Sequence, residues 1–345
     1  MIKKNTLTCL AALAGLFSGM AMPAHAQGQG QGQGQVINRT ACLFDFMGSN
    51  GDSYAVGKDF AASALAWGVR LNLRAYTDEG VAFEDFKAGK CDAVGITGIR
   101  ARFLVKFAGS ILMMGALPSY EEAKTAAMAI LQPKAAHLMT EGPYEVISVV
   151  PIGAVYIFAR DRSWNSIKDV PGKRLAVIGW DKQATAMADF VGVSLVPADF
   201  TNFVTMFNNG SVDAIYGPAL IYDALEAYKG IGTKGGVADY PIAQAFYEIV
   251  TYKDRFPEGF GQKARNWTMA QMDRFIDMAK QADKTIPEDK WIRIAEKDRD
   301  NYQELFRKVR LQLRDEVYDP RMMTLLRRIR CQYRPDKAEC REQNE

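Results

Sequence analysis

Residues 163–177, Ser-Trp-Asn-Ser-Ile-Lys-Asp-Val-Pro-Gly-Lys-Arg-Leu-Ala-Val, read as a helical turn, a glycine turn and a buried strand. Residues 191–200 add a strand that leads into a helix, and residues 206–215 end that helix at a glycine and begin another strand. Strands and helices interleaved at this spacing require an α/β architecture. The same order is legible from residue 36. Residues 36–46 read as a strand, residues 48–53 as a turn able to cap the next helix, and residues 54–67 as that helix. Residues 69–76 alternate like a strand, residues 81–88 form a short helix stopped by Gly89, and residues 91–96 form a third strand. This β-α-β-α-β order implies right-handed crossovers and a parallel sheet. A ligand crevice is then expected at the carboxyl ends of the strands, residues 46–52 and 97–102.

The rest of the chain divides by character. Residues 121–131 read as a helix and residues 144–158 as a long apolar stretch. Residues 238–252 are expected to return to the first half of the molecule. Beyond them, residues 269–282, 287–319 and 321–333 look helical and densely charged, cut by Pro287 and Pro320. Trp291, Ile294, Ala295, Tyr302, Leu305, Phe306, Val309 and Leu313 keep helical spacing, with charge on the other face. A partner-binding coiled coil would need a sustained heptad, which is missing, so these helices are expected to pack on the lobes. The expected organisation is a signal (1–26), a Gln/Gly leader (27–35), lobe 1 (36–150, with the return segment 236–262), lobe 2 (151–235) and C-terminal helices (263–345).

Residues 1–26 carry the three parts of an export signal: Lys3 and Lys4, an apolar core over residues 7–20, and the small-x-small motif Ala24-His25-Ala26. The apolar run is short for a membrane span. Cys9 lies in a poor lipoprotein context, so a soluble periplasmic protein beginning at Gln27 is expected. Residues 27–35 alternate Gln and Gly, have nothing to bury, and read as a disordered leader. The net charge of +3 offers no argument for nucleic acid as a partner. Four cysteines remain after the signal: Cys42, Cys91, Cys331 and Cys340. In an oxidising compartment they are expected to pair as Cys42–Cys91, at the starts of two neighbouring strands, and Cys331–Cys340, close in sequence. Metal binding is the rival reading, but there is no Cys-x-x-Cys pair and His137 is the only histidine after the signal.

Several segments resemble TRAP-type periplasmic solute-binding proteins. Leu117-Pro118 leading into Glu121-Glu122-Ala123, the Ser166–Arg174 segment with its Val-Pro-Gly turn, and Asn209-Gly210-Ser211-Val212-Asp213 match that family's motifs in order and spacing. Within the family the chain looks closest to a divergent set of solute-binding proteins, some labelled components of RND-type efflux pumps. It has neither a pump's many spans nor an adaptor's long paired heptads. The resemblance implies two α/β lobes joined by a hinge near Pro151 and residues 238–252. It also implies a small-molecule ligand, a membrane transporter as partner, a monomer, no cofactor and no catalysis. Typical members carry an arginine four residues after the glycine to grip a substrate carboxylate bidentately. Here Gly172 leads to Ala176, with Arg174 two positions earlier and nearer the turn. The strand after Asp213 reads Ala-Ile-Tyr-Gly-Pro, without the usual polar group. Small dicarboxylates are therefore not expected as ligands, and a larger solute contacting Trp180, Tyr216 and Tyr222 is.

Other chemistry finds little support. Gly230-Ile-Gly-Thr-Lys-Gly235 fits a dinucleotide pattern, but a helix precedes it where the mechanism needs a strand, so it reads as a helix end and turn. No nucleophile elbow, paired metal-binding histidines or P-loop occurs, which leaves an enzyme as the runner-up. An envelope interaction or efflux-accessory protein, using the charged C-terminal helices as its contact surface, is a further alternative. The candidate ligand residues are Asn50, Asp52 and Tyr54 from the first turn and Thr97 and Arg100 from the third strand end. Tyr156, Arg174, Trp180, Asn202, Tyr216 and Tyr222 come from the connecting strand and the second lobe. For each aromatic, core packing is the competing role.

Overall fold

The computed structural model describes residues 36–345; the signal, cleavage motif, Cys9 and Gln/Gly leader read above lie outside the described residues. The parallel unit is present. β1 (Ile37–Phe44) lies between β2 (Val69–Tyr76) and β3 (Ala93–Thr97) and is parallel to both. α1 (Asp52–Ala66) and α2 (Glu79–Lys87) make the crossovers. The 48–53 turn does not cap α1 with its own side chains. Instead the Asp45 carboxylate, just past β1, accepts the backbone N–H groups of Ser53 at 2.9 Å and Tyr54 at 3.3 Å. A Cβ at Gly51 would fall 1.7 Å from Asp45 Oδ1, so this cap needs glycine there.

Three helices follow: α3 (Gly98–Ala101), α4 (Lys106–Gly109) and α5 (Tyr120–Leu131), the last capped by Ser119. Their apolar side chains pack with Val94, Ile96 and Phe246 in the largest buried cluster. β4 (Thr140–Glu141) then turns into the 16-residue β5 (Tyr144–Ala159). This strand joins the two halves of the molecule. Its first part pairs antiparallel with β10 (Ala243–Tyr252), which also pairs with β3; its last part pairs with β8 (Ala214–Pro218). The β5–β10 ladder slips where Ala245 pairs with Gly153 and Phe246 with Pro151, leaving Ile152 as an extra residue.

The second half repeats the parallel pattern. β6 (Arg174–Ile178) is parallel to β7 (Ser194–Ala198) on one side and β8 on the other, with α6 (Lys182–Val191) and α7 (Phe203–Asn208) as connections. The main path of the single sheet runs β2-β1-β3-β10-β5-β8-β6-β7. Short helices α8 (Ile221–Ala224) and α9 (Tyr228–Ile231) precede β9 (Gly236–Ala238). The Gly-x-Gly-x-x-Gly pattern therefore spans the end of α9 and a turn, as read.

The C-terminal region departs from its reading in three ways. Helix begins at Phe260 with α10 (Phe260–Ala270), followed by α11 (Met272–Asp283), nine residues before the expected start. Residues 287–319 are not one helix. Trp291 and Ile292 form β11, parallel to β9, and α12 covers only Glu296–Gln312, so Trp291, Ile294 and Ala295 leave the predicted helical face. The cause is the pairing offered by β9, whose Val237 and Ala238 align with Trp291 and Ile292. Pro320 does mark the boundary read from the sequence, as the start of the next helix. It occupies the first turn of α13 (Pro320–Tyr333), whose Arg321 N–H is accepted by Asp319.

Nor is all of the charge on these helices solvated. Arg310 and Arg330 are 1% and 2% exposed. Arg310 donates to Glu345 at 2.8 Å and to the Met114 carbonyl at 3.0 Å. Arg330 donates to Glu339 at 2.6 Å and to the Ala116 carbonyl at 3.1 Å. The two guanidinium groups thus pin the terminal helices to the 112–117 loop of the first half. α14 (Ala338–Glu342) carries Cys340, which is bonded to Cys331, and Cys42 is bonded to Cys91. Among the described residues no helix is long and apolar enough to cross a membrane.

Candidate functional site

The carboxyl ends of the parallel strands of both halves point into one cleft, as strand order requires. From the first half come Phe44, the last residue of β1, and Phe46 just beyond it, with Thr97, the last residue of β3, and residues 98–102 after it. From the second come Trp180 after β6 and Phe200 after β7. Phe200 lies 5.8 Å from Phe44 and 5.7 Å from Phe46, and Trp180 lies 6.0 Å from Phe103 and 6.3 Å from Phe200. The Arg100 guanidinium stacks over Trp180 at 4.2 Å. It is held by Glu79, 3.0 Å from Arg100 Nε, whose other oxygen accepts the Thr97 N–H at 2.7 Å. Burial pushes the Glu79 carboxyl up, against the pull of Arg100. An aromatic seam with one stacked cation therefore closes the cleft.

Behind this seam lies a cavity of about 210 Å³. Its walls are mostly apolar: Ile99, Leu112, Ile157, Leu175, Met187 and Phe246 are representative. The polar groups are few. Asp181 caps α6, accepting the Gln183 N–H at 3.1 Å, and accepts the Tyr216 hydroxyl at 3.1 Å. Burial raises the Asp181 carboxyl, with Arg102 acting in the opposite direction. Gln183 accepts the Tyr318 hydroxyl at 2.8 Å, tying the second half to the C-terminal region. Gln244 of β10 also lines the cavity.

The residues singled out in the sequence fall into three groups. Thr97 and Tyr216 line the cavity, and Arg100 and Trp180 form its rim. Asn50 is exposed in a single 3₁₀ turn; Asp52 opens α1 and lines a separate 110 Å³ space between that helix and the first-half sheet; Tyr54 packs on Ala41, Leu43 and Ala93. Asn202 folds onto its own turn, accepting the Asp199 N–H at 3.0 Å, and Tyr222 is buried against Tyr228.

Arg174 and Tyr156 also look elsewhere. Arg174 begins β6, at the end away from the cleft, where it donates to Asp213 at 2.6 Å and to the Gly210 carbonyl at 3.0 Å. It does not replace an arginine at position 176. Tyr156 borders a different, polar cavity of about 540 Å³. Its hydroxyl donates to Asp283 at 3.1 Å, and Tyr120 donates to the same oxygen at 2.9 Å while accepting the Ala154 N–H. Burial raises both tyrosines and Asp283.

Phe46, Phe200, Asp181, Gln183 and Gln244 were missed. The first two sit at strand ends, the position that identified Thr97 and Trp180. Asp181 follows Trp180 directly as a helix cap. Gln244 had one signal, a polar residue entering an apolar run, which is equally the mark of an edge strand.

With this geometry the fold is that of two-lobe TRAP periplasmic solute-binding proteins. It superposes on one from Desulfovibrio salexigens with bound orotic acid at a TM-score of 0.70, with 13% identity, over 86% of this chain and 99% of that one. A TRAP protein from Rhodoferax ferrireducens with bound malonate gives 0.70 and 14%, over 86% and 100%. By sequence, the chain is 38% identical over 299 residues to the probable solute-binding protein AdeT1 of Acinetobacter baumannii, covering 86% of this chain and 98% of that protein. It is 23% identical to AdeT2 of the same organism, over 67% and 98%. Residues 61–345 match the family model of solute-binding protein AdeT 1/2. Cleft, fold and sequence agree, and the chain belongs to the AdeT1/2 family of solute-binding proteins.

Proposed function

We infer that this protein works in the periplasm as a monomer that captures a small solute between its two halves and presents it to a TRAP-type membrane transporter, without turning it over. The carrying observation is the cavity itself: about 210 Å³, apolar, and walled by strand ends from both halves. In this reading lobe 1 is 36–150 with the return 236–262, lobe 2 is 151–235, and the extra residue at Ile152 lies where the hinge was expected. A solute touching both lobes binds the closed state better than the open one and so shifts the population. Thr97, Arg100, Trp180 and Tyr216 are its contacts.

The solved relatives named above hold carboxylates, orotic acid and malonate. This cleft offers them little. Ala176 stands on β6, Arg174 is bound to Asp213, and Arg100 is bound to Glu79. A buried carboxylate without a cationic partner is costly, so succinate-like acids bind weakly.

Native mass spectrometry of protein taken from a periplasmic extract tests capture. A bound small molecule on a monomer beginning at Gln27 is expected, released on Trp180→Ala. A spectrum without bound solute, together with calorimetric silence across organic acids and larger polar or aromatic solutes, overturns the reading. Millimolar or tighter succinate binding unaffected by Trp180→Ala overturns the ligand argument alone.

A further inference from the structure

Gln244 sits where the two cavities meet, on the face of β10 that carries Phe246. It is 2% exposed, yet neither its Nε2 nor its Oε1 has a partner among the described residues. Buried amides are almost always bonded, and one left alone costs free energy that a leucine of similar volume would not. The Thr97 hydroxyl, at the same cavity, is also without a partner among the described residues. Two unpartnered side chains on one apolar wall call for an occupant with polar groups of its own.

Charge narrows the class. Asp181 is already bonded to Tyr216 and Gln183, and Arg100 to Glu79. Lys173 reaches only the far end of the cavity, with its ammonium over Trp164 at 4.7 Å. Arg102 and Glu248 do not line the cavity, and the Glu248 carboxyl, pushed up to about 8 by burial, is neutral near pH 7. The site therefore offers neither a net cation to an anion nor an open carboxylate to a cation. A carboxamide presents one donor beside one acceptor, and its complement is another amide edge. An apolar cavity of roughly 150 Å³ holds benzene, so about 210 Å³ admits a compact bicyclic molecule.

Resting on the capture reading above, we propose that the solute is an uncharged, largely apolar ring compound whose lactam- or amide-like edge pairs with the Gln244 carboxamide. Trp180 and Phe200 close over its apolar body, and Thr97 takes a further polar group.

The test is calorimetry on the full mature chain with three probes of one shape. 2-Quinolone has donor and acceptor, quinoline an acceptor only, and quinoline-2-carboxylate a negative charge. Wild type should bind 2-quinolone at least tenfold more tightly than quinoline and more tightly still than the carboxylate, the range that leaving a buried polar group unpaired produces. Gln244→Leu should weaken 2-quinolone by about tenfold or more while leaving quinoline within threefold. The same variant should raise the melting temperature of the ligand-free protein, because an unpaired amide is gone; this also verifies that it folds. Equal affinity for 2-quinolone and quinoline overturns the proposal, since water then suffices for Gln244. So does a Gln244→Leu variant that binds 2-quinolone normally, a preference for the carboxylate, or no 2-quinolone binding at all. Carboxylate binding abolished by Trp180→Ala would reject the amide edge while sustaining capture; loss of all three probes with no solute in the native mass spectrum would reject both.

Discussion

Glu248→Gln should make the protein more stable, and more so as the pH rises. Glu248 is fully buried on β10, against Gly98: a Cβ on that glycine would lie 2.8 Å from Glu248 Oε1. Neither carboxyl oxygen has a hydrogen-bond partner among the described residues, and Arg102 of the segment after α3 is the one charge whose field lowers its pKa. Burial wins, and the carboxyl is pushed up from 4.5 to about 8. Its pKa is thus higher folded than unfolded, so its contribution is intact below about pH 4.5 and is lost as the pH climbs toward 8. At roughly 1.4 kcal/mol per unit, the loss amounts to about 3 kcal/mol at pH 7 and approaches 5 above pH 8. Glutamine mimics the neutral acid and carries no such penalty. Urea denaturation of both proteins at pH 5, 6.5 and 8.5 should show a stability difference that is small at pH 5 and several kcal/mol at pH 8.5. A difference that does not change with pH would refute the argument, because it would mean the carboxyl ionises in the folded state as easily as in the unfolded one.

Three further perturbations have signs set by the structure. Arg330→Met leaves Glu345 with Arg310 as its remaining partner and takes from the half-buried Glu339 its nearest cation, so it should cost about 1.5–3 kcal/mol in denaturant unfolding, the worth of a hydrogen bond to a charged group. Replacing the cysteines pairwise by serine should hurt more at Cys42–Cys91, separated by 49 residues, than at Cys331–Cys340, separated by nine; loop entropy predicts about 4 against about 2.6 kcal/mol, read from denaturation midpoints. Gly51→Ala drives a methyl into Asp45, displaces the cap of α1, and should cost about 1–3 kcal/mol; a variant as stable as wild type would show that Asp45 can move aside.

The parallel units were legible because their pattern is local. Glycine turns, helix caps and short apolar strands recur within some thirty residues, as in β6 to β8, and strand order then places the cleft. What escaped is made by distant parts of the chain. Trp291 and Ile292 look helical by spacing, and only pairing with β9, more than fifty residues earlier, makes them a strand. Arg310 and Arg330 recur among other charges exactly as solvated arginines do, and nothing local records that Glu345 and two loop carbonyls await them. Arg174 alternates onto the right face, yet its neighbour across the sheet is Asp213, which takes it out of play. Gln244 differs from an ordinary strand polar residue only in being buried from both sides, a property of the assembled sheet.

The long β5–β10 ladder has a mechanical meaning. Lobes joined by loops move as separate bodies, but here an antiparallel ribbon is bonded through the crossing, so opening has to twist or bend it. Such a ribbon is a torsion spring: its restoring force grows with displacement and draws the halves back toward one relative orientation. The ladder slips twice, at Ile147 and at Ile152, and only the second lies at the crossing between the halves, so it is the softer point for opening, with one residue already released there. Displacement should therefore concentrate within a residue or two of that slip, and the amide protons of β5 and β10 on either side should remain protected from exchange with solvent while the cleft gapes.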